Sequence, residues 1–151
     1  MEQSAYGMTY KGLGLGPSPW LEFEDRVRSS RRCFRRCSLN DLPVISPPAE
    51  IDCSNSNQLT QLILDASIDA RVVIVDMTST IYIDAACIGA LVRANRRLQE
   101  NGIELRVATI NARTRWMMTE FGQDRLLRVF DTLPEAVTAR PRYWSVQRQA
   151  A

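Results

Sequence analysis

The sequence predicts an α/β fold with a mainly parallel central sheet and right-handed crossovers. Three observations carry this prediction. Arg71-Val72-Val73-Ile74-Val75-Asp76 is β-branched and almost continuously apolar, as a strand buried on both faces must be. Stretches with apolar residues at helical spacing alternate with such strand-like runs. Cap residues stand where those helices should begin and end. Together they predict about four to five strands and about four helices.

The regular pattern starts at Leu42. Leu42–Ile45 is a short apolar run halted by Pro47-Pro48. Ser54-Asn55-Ser56-Asn57 offers helix caps, and Leu59, Leu62, Ile63 and Leu64 form the stripe of the helix that follows. After the buried strand at 71–76, Asp84 precedes a second helix. Ile88, Leu91, Val92, Ala94 and Leu98 line one side of it, and Arg93, Arg96, Arg97 and Glu100 the other. Asn101-Gly102 suits its C-terminal cap. Ile103–Ala108 reads as a strand. Asn111 can cap a helix carrying Trp116, Met117, Met118 and Phe121. Leu126–Phe130 includes a short last strand, and Leu133–Ala139 a last helix.

These elements bound one domain at residues 42–139, between an extension at 1–41 and a tail at 140–151 that carries Trp144. The extension opens with Gly7, Gly12, Gly14, Gly16, Pro17 and Pro19, a poor start for a packed element. It continues into a basic cluster: Arg26, Arg28, Arg31, Arg32, Arg35 and Arg36. One reading is an arm for nucleic acid, anionic lipid or an acidic partner. The other is a solvated extension, or a short helix with its arginines in water. Glu22, Glu24 and Asp25 partly offset the charge, and Phe34 is the cluster's only aromatic. Platforms for stacking bases are therefore lacking.

Composition excludes several classes. A net charge of +2 over 151 residues does not argue for nucleic acid. The chain has no histidine, which removes the usual general base and the commonest zinc ligand. The cysteines are Cys33, Cys37, Cys53 and Cys87, without a CxxC pair. A zinc site would need all four sulfurs, at spacings that do not fit, so no metal or cofactor is expected. No apolar run is long enough to span a membrane, and Met1–Gly7 lacks the order of a signal peptide. A cytoplasmic protein with free thiols is expected. The sequence carries no signal for its oligomeric state.

The most informative stretch is Tyr82-Ile83-Asp84-Ala85-Ala86-Cys87-Ile88-Gly89-Ala90-Leu91. An apolar strand ends, one carboxylate follows, and small residues lead into an amphipathic helix. Such a turn admits a phosphate, a nucleotide or a partner's backbone. Its alanines and cysteine do not suit acid–base work, and no other residues complete a catalytic set.

Here the chain resembles the STAS domain, the fold of bacterial anti-sigma factor antagonists. Ala49-Glu50-Ile51-Asp52 is similar to that family's Gly-Glu-Leu-Asp. Val73-Ile74-Val75-Asp76-Met77 resembles its central strand. Ile83 to Leu91 resembles its Asp-Ser-Ser-Gly-Leu-Gly-x-Leu loop and helix start. Asn101-Gly102-Ile103-Glu104-Leu105 and Phe130-Asp131-Thr132-Leu133-Pro134-Glu135-Ala136-Val137 resemble its endings. The resemblance implies a non-enzymatic regulator that binds a GHKL-kinase-like anti-sigma factor and so frees a sigma factor for transcription. In the family, the kinase reverses this by phosphorylating the second serine of the loop.

This chain departs from the pattern at that switch. Ala85 and Ala86 match the two serines, and Cys87 matches the glycine. Neither alanine has a hydroxyl to phosphorylate. Ser79 and Thr80 are candidate substitutes, or plain turn residues before a strand.

The resemblance implies docking through Asp52, Asp84, Ala85, Ala86, Cys87 and Ile88, with the exposed side of the Asp84–Asn101 helix. Asp84 is either the helix N-cap or a residue that orients the loop or contacts the partner, and one side chain can do both. Asp52 either meets the partner or caps its own helix. Cys87, at a helix N-terminus, is expected to have a lowered pKa. With Cys53 it would form a redox switch in place of phosphorylation, or both are small space-fillers. Trp116, Met117, Met118 and Phe121 are either core or an exposed patch. Two other classes stay open: a docking subunit of a transport or signalling assembly, and a nucleic-acid-binding protein acting through its basic arm.

Overall fold

The computed structural model of the chain describes residues 33–120 and 127–142. In order, these form β1 (Arg35–Leu39), β2 (Leu42–Ser46), β3 (Glu50–Ile51), α1 (Ser56–Ala66), β4 (Val72–Asp76), β5 (Tyr82–Ile83), α2 (Ala85–Glu100), β6 (Glu104–Ala108), α3 (Ala112–Glu120), β7 (Arg128–Phe130) and α4 (Leu133–Thr138). Among the described residues the main sheet has five strands in the order β1-β2-β4-β6-β7. β2, β4, β6 and β7 run parallel, so the expected α/β architecture with a mainly parallel sheet is what the chain forms. β3 and β5 make a second, two-stranded parallel sheet.

The burial of each strand follows its composition. Val72, Val73, Ile74 and Val75 of the central β4 are all buried, as a strand covered on both faces requires. On one face, Ile45, Val73, Val75, Leu105 and Val107 pack with Leu59 and Ile63 of α1, Leu91 and Leu98 of α2, and Met118 of α3. On the other, Val44, Val72, Ile74 and Ala108 pack under Ala136 of α4. Gly102 (φ 70°) closes α2 in a Schellman motif: its N–H donates to Gln99 O, and that of Ile103 to Leu98 O, each at 2.9 Å. Ile103 then packs on the core that contains Leu98.

The sheet begins earlier than Leu42. β1 lies within the stretch read as the extension and pairs antiparallel with β2 in the register Arg35↔Ser46 to Leu39↔Leu42. All five of its residues are exposed, so no hydrophobic alternation announces it. The local signal is Asn40-Asp41, both at positive φ (50° and 63°), as a two-residue type I′ hairpin needs. The other residues of the basic cluster (Arg26, Arg28, Arg31 and Arg32), Phe121 and Trp144 lie outside the described residues. Among those described, no helix is long and apolar enough to cross a membrane.

Buried charge anchors the far side of the sheet. Glu104, 1% exposed, accepts from Arg106 Nε at 3.1 Å and from Arg128 at 2.6 Å. Its other oxygen accepts the backbone N–H of Arg142 at 2.9 Å. Arg106 in turn donates to Ala136 O at 2.7 Å. These bonds tie α4, at Ala136, and the chain beyond it, at Arg142, to Arg106 and Glu104 of β6.

Candidate functional site at the carboxyl ends of the strands

Segments following β2, β4 and β6 converge at the carboxyl end of the sheet, where α/β folds gather their sites. Asp84 stands at their centre. It is extended (φ −114°, ψ −177°), and its Oδ1 accepts Cys87 N–H at 3.2 Å, capping α2. Its Oδ2 accepts the N–H of Cys53 at 3.1 Å. One carboxylate thus caps a helix and bonds a second loop. It also bridges the backbones of Cys53 and Cys87.

Asp52 turns inward on its own loop. Its Oδ1 accepts both the N–H and the hydroxyl of Ser54, and these bonds lower its pKa. Asn55 precedes α1 but does not cap it through its side chain. It reaches backward instead, accepting from Asp52 N–H at 2.9 Å and donating to Glu50 O at 3.0 Å. The cap pattern marked the right place, but its side-chain bonds brace the preceding loop.

At the start of α2, Ala85 is exposed and Ala86 half-buried, while Cys87 and Ile88 belong to the core. The outer surface of the turn is therefore made of methyl groups and backbone. The Cys87 thiol is pushed up to about 12, by burial first and by the Asp84 carboxylate second. This is opposite to the shift expected from the helix dipole. Desolvation of a thiolate outweighs the dipole when the sulfur points inward. Cys53 is exposed. Among the described residues no group of three or more cysteines or carboxylates gathers as a metal site would require.

Thr80 is buried, and its hydroxyl donates to Pro48 O at 3.1 Å, holding the approach to β3. Of the two substitute hydroxyls, only Ser79 is at the surface. Asn111 caps α3 by accepting from Arg113 and Thr114 N–H, as its position suggested. Its amide also donates to Ile81 O at 3.4 Å, tying α3 to the segment before β5. On α3, Met118 is buried, Met117 is half-buried and Trp116 is exposed.

The sequence reading missed the apolar flank of this site. Ile81 (68% exposed), Tyr82 and Ile110 (70%) present side chains to solvent beside the Asp84 loop. Asn111, the residue after Ile110, bonds the carbonyl of Ile81. The only sequence signal was an apolar residue on each side of a loop, which periodicity assigns to the core.

The model of the STAS domain matches residues 37–136. The chain belongs to the STAS domain family. Its structure is similar to an anti-sigma factor antagonist from Mycobacterium paratuberculosis, with a TM-score of 0.64 and 20% identity over 70% of this chain and 91% of that one. It is also similar to a putative anti-sigma factor antagonist from Thermotoga maritima (TM-score 0.62, 15% identity, 72% and 95% covered). A sulfate transporter family protein from Wolinella succinogenes shares the fold too (TM-score 0.60, 17% identity, 76% and 93% covered). At these identities the likeness establishes the fold. No curated protein matches the chain. The family match begins at Cys37, inside β1.

Proposed function

We propose that this STAS domain is a non-enzymatic, protein-binding regulator of the anti-sigma factor antagonist kind. It engages an anti-sigma factor of the GHKL-kinase type and so frees a sigma factor. The observation that carries the reading is the Asp84 clip. It holds the Asp52–Ser54 loop against the start of α2 and presents Ala85 and Ala86 on one surface, beside Ile81 and Tyr82. A rigid, small-residue turn with an apolar rim suits close approach by a partner's backbone. Cys87 and Ile88 support that surface from beneath, and Asp52 shapes its edge.

On this reading the domain binds constitutively, because the positions matching the family's serines carry no hydroxyl. Affinity capture with the wild-type chain should recover a GHKL-type kinase. Ala86→Ser should then restore phosphate incorporation by that kinase. Capture without any such protein overturns the reading. A captured kinase that leaves the Ala86→Ser chain unmodified removes the switch and leaves the binding.

The second reading, a docking subunit of a transport or signalling assembly, draws on the likeness to the Wolinella protein. Capture of a membrane transporter in place of a kinase would favour it. A nucleic-acid role for the basic arm is tested by the salt dependence of DNA binding in the full chain and in a chain lacking residues 1–32. That deletion ends before β1 and spares the sheet.

A further inference from the structure

β1 stands at one edge of the main sheet, and each of its five residues is exposed. Its register defines what the outer side offers. Ser38 pairs with Pro43, which has no N–H to exchange, so this is a non-hydrogen-bonded pair. By alternation, Arg35 and Cys37 exchange bonds with Ser46 and Val44, and Arg36 and Ser38 turn their N–H and C=O groups outward. Among the described residues no strand pairs with that edge. An edge of this kind is a template for another strand.

We infer that the β1 edge is a homodimer interface, in which β1 pairs antiparallel with β1 of a second copy about a two-fold axis at Cys37. Two features single out a second copy. Cys37 is the middle residue of the strand, so two-fold pairing sets Arg36 opposite the partner's Ser38 and Arg35 opposite the partner's Leu39. No two arginines then face each other directly, although the strand carries two in succession.

The second feature is charge complementarity. The basic end of one strand meets the acidic end of the other. Arg36 pairs with Ile45, whose side chain lies in the core under α1, so Arg36 and Ser38 stand on the α1 side. There a groove of about 490 Å³ is lined by Arg36, Ser38, Asp41, Ile68 and Asp69, two carboxylates to one guanidinium. Asp41 and Asp69 both sit at positive φ (63° and 61°). The pairing delivers the partner's Arg36 beside Ser38, where a second guanidinium offsets the groove's excess carboxylate.

The pairing makes Cys37 and the partner's Cys37 a non-hydrogen-bonded pair, with Cα atoms about 4.5 Å apart, within disulfide range. This supplies a trap. Diamide takes two electrons and two protons from the two thiols, forming the S–S bond and the corresponding hydrazine. Cys33 falls opposite the partner's Asp41 in this register and serves as the control.

The test measures the full chain by sedimentation velocity over a dilution series, with and without diamide. The expected result is a reversible species of twice 17.1 kDa. Diamide should lock it through Cys37, in Cys33→Ser but not in Cys37→Ser. Ser38→Pro removes an outward N–H without touching a β1–β2 bond, and should weaken dimerisation by about tenfold or more with circular dichroism unchanged. If that variant fails to fold, Arg36→Glu reports instead, by weakening the dimer through charge reversal on the exposed strand. A monomer at all concentrations overturns the proposal. So does a dimer linked through Cys33, or one indifferent to both variants.

Discussion

The Asp84 carboxylate accepts the N–H of Cys53 at 3.1 Å across 31 residues of sequence, while its other oxygen caps α2. The loop before α1 and the turn before α2 are therefore held by one side chain. Asp84→Ala removes both bonds. The loss of an N-cap alone costs about 1 kcal/mol, and the charge-assisted bond to Cys53 adds to it, so about 2–3 kcal/mol is expected. Asp84→Asn keeps an acceptor and should cost less. Urea unfolding measures the difference, and hydrogen exchange at the Cys53 amide should quicken in the alanine variant.

Cys87 is expected to resist alkylation in the folded protein, because its thiol is buried and held up to about 12. Cys53 is exposed and should react. Mass spectrometry after brief iodoacetamide treatment reads the pattern. The same shift gives a pH dependence. A folded pKa above the unfolded one stabilises fully below the unfolded thiol's value. That contribution is lost as pH rises from there through about 12. Cys87→Ala should abolish this alkaline component.

Glu104 predicts the opposite limb. Burial pushes its pKa up, but the Arg142 N–H, Arg128 and Arg106 more than offset this and leave it lowered. A lowered folded pKa stabilises above the unfolded carboxylate's value, and the contribution is lost as pH falls through the folded one. Glu104→Ala would strand Arg106, itself 1% exposed, at a cost of about 3–5 kcal/mol. An acid titration of stability, wild type against Glu104→Gln, isolates the component.

Gly102→Ala should cost about 1 kcal/mol, because φ is 70° where α2 turns into β6. Gly102→Asn should recover part of this, since asparagine tolerates the left-handed region. Thermal unfolding of the two variants makes the comparison.

Which parts of the molecule were legible in the sequence follows from the range of each interaction. The runs at Val72–Asp76 and Glu104–Ala108, the stripe of α2 and its Asn101-Gly102 cap are local patterns, and the strands and helix formed where those patterns lay. Asp84 was legible as a cap for the same reason. β1 was not, because a strand exposed on both faces has no alternation to read. Nor was the apolar rim of Ile81, Tyr82 and Ile110, since hydrophobicity does not tell a core residue from a surface one.

By itself, then, the sequence determined the α/β class, the order of the later elements and the absence of hydroxyls at Ala85 and Ala86. Each of these is a matter of residue identity or near-neighbour spacing. Only the tertiary structure decided the second bond of Asp84, the inward sulfur of Cys87 and the ion cluster at Glu104. Each depends on chain segments far apart in sequence and on the desolvation that packing imposes. For Cys87 that desolvation reversed the sign of the helix-dipole expectation.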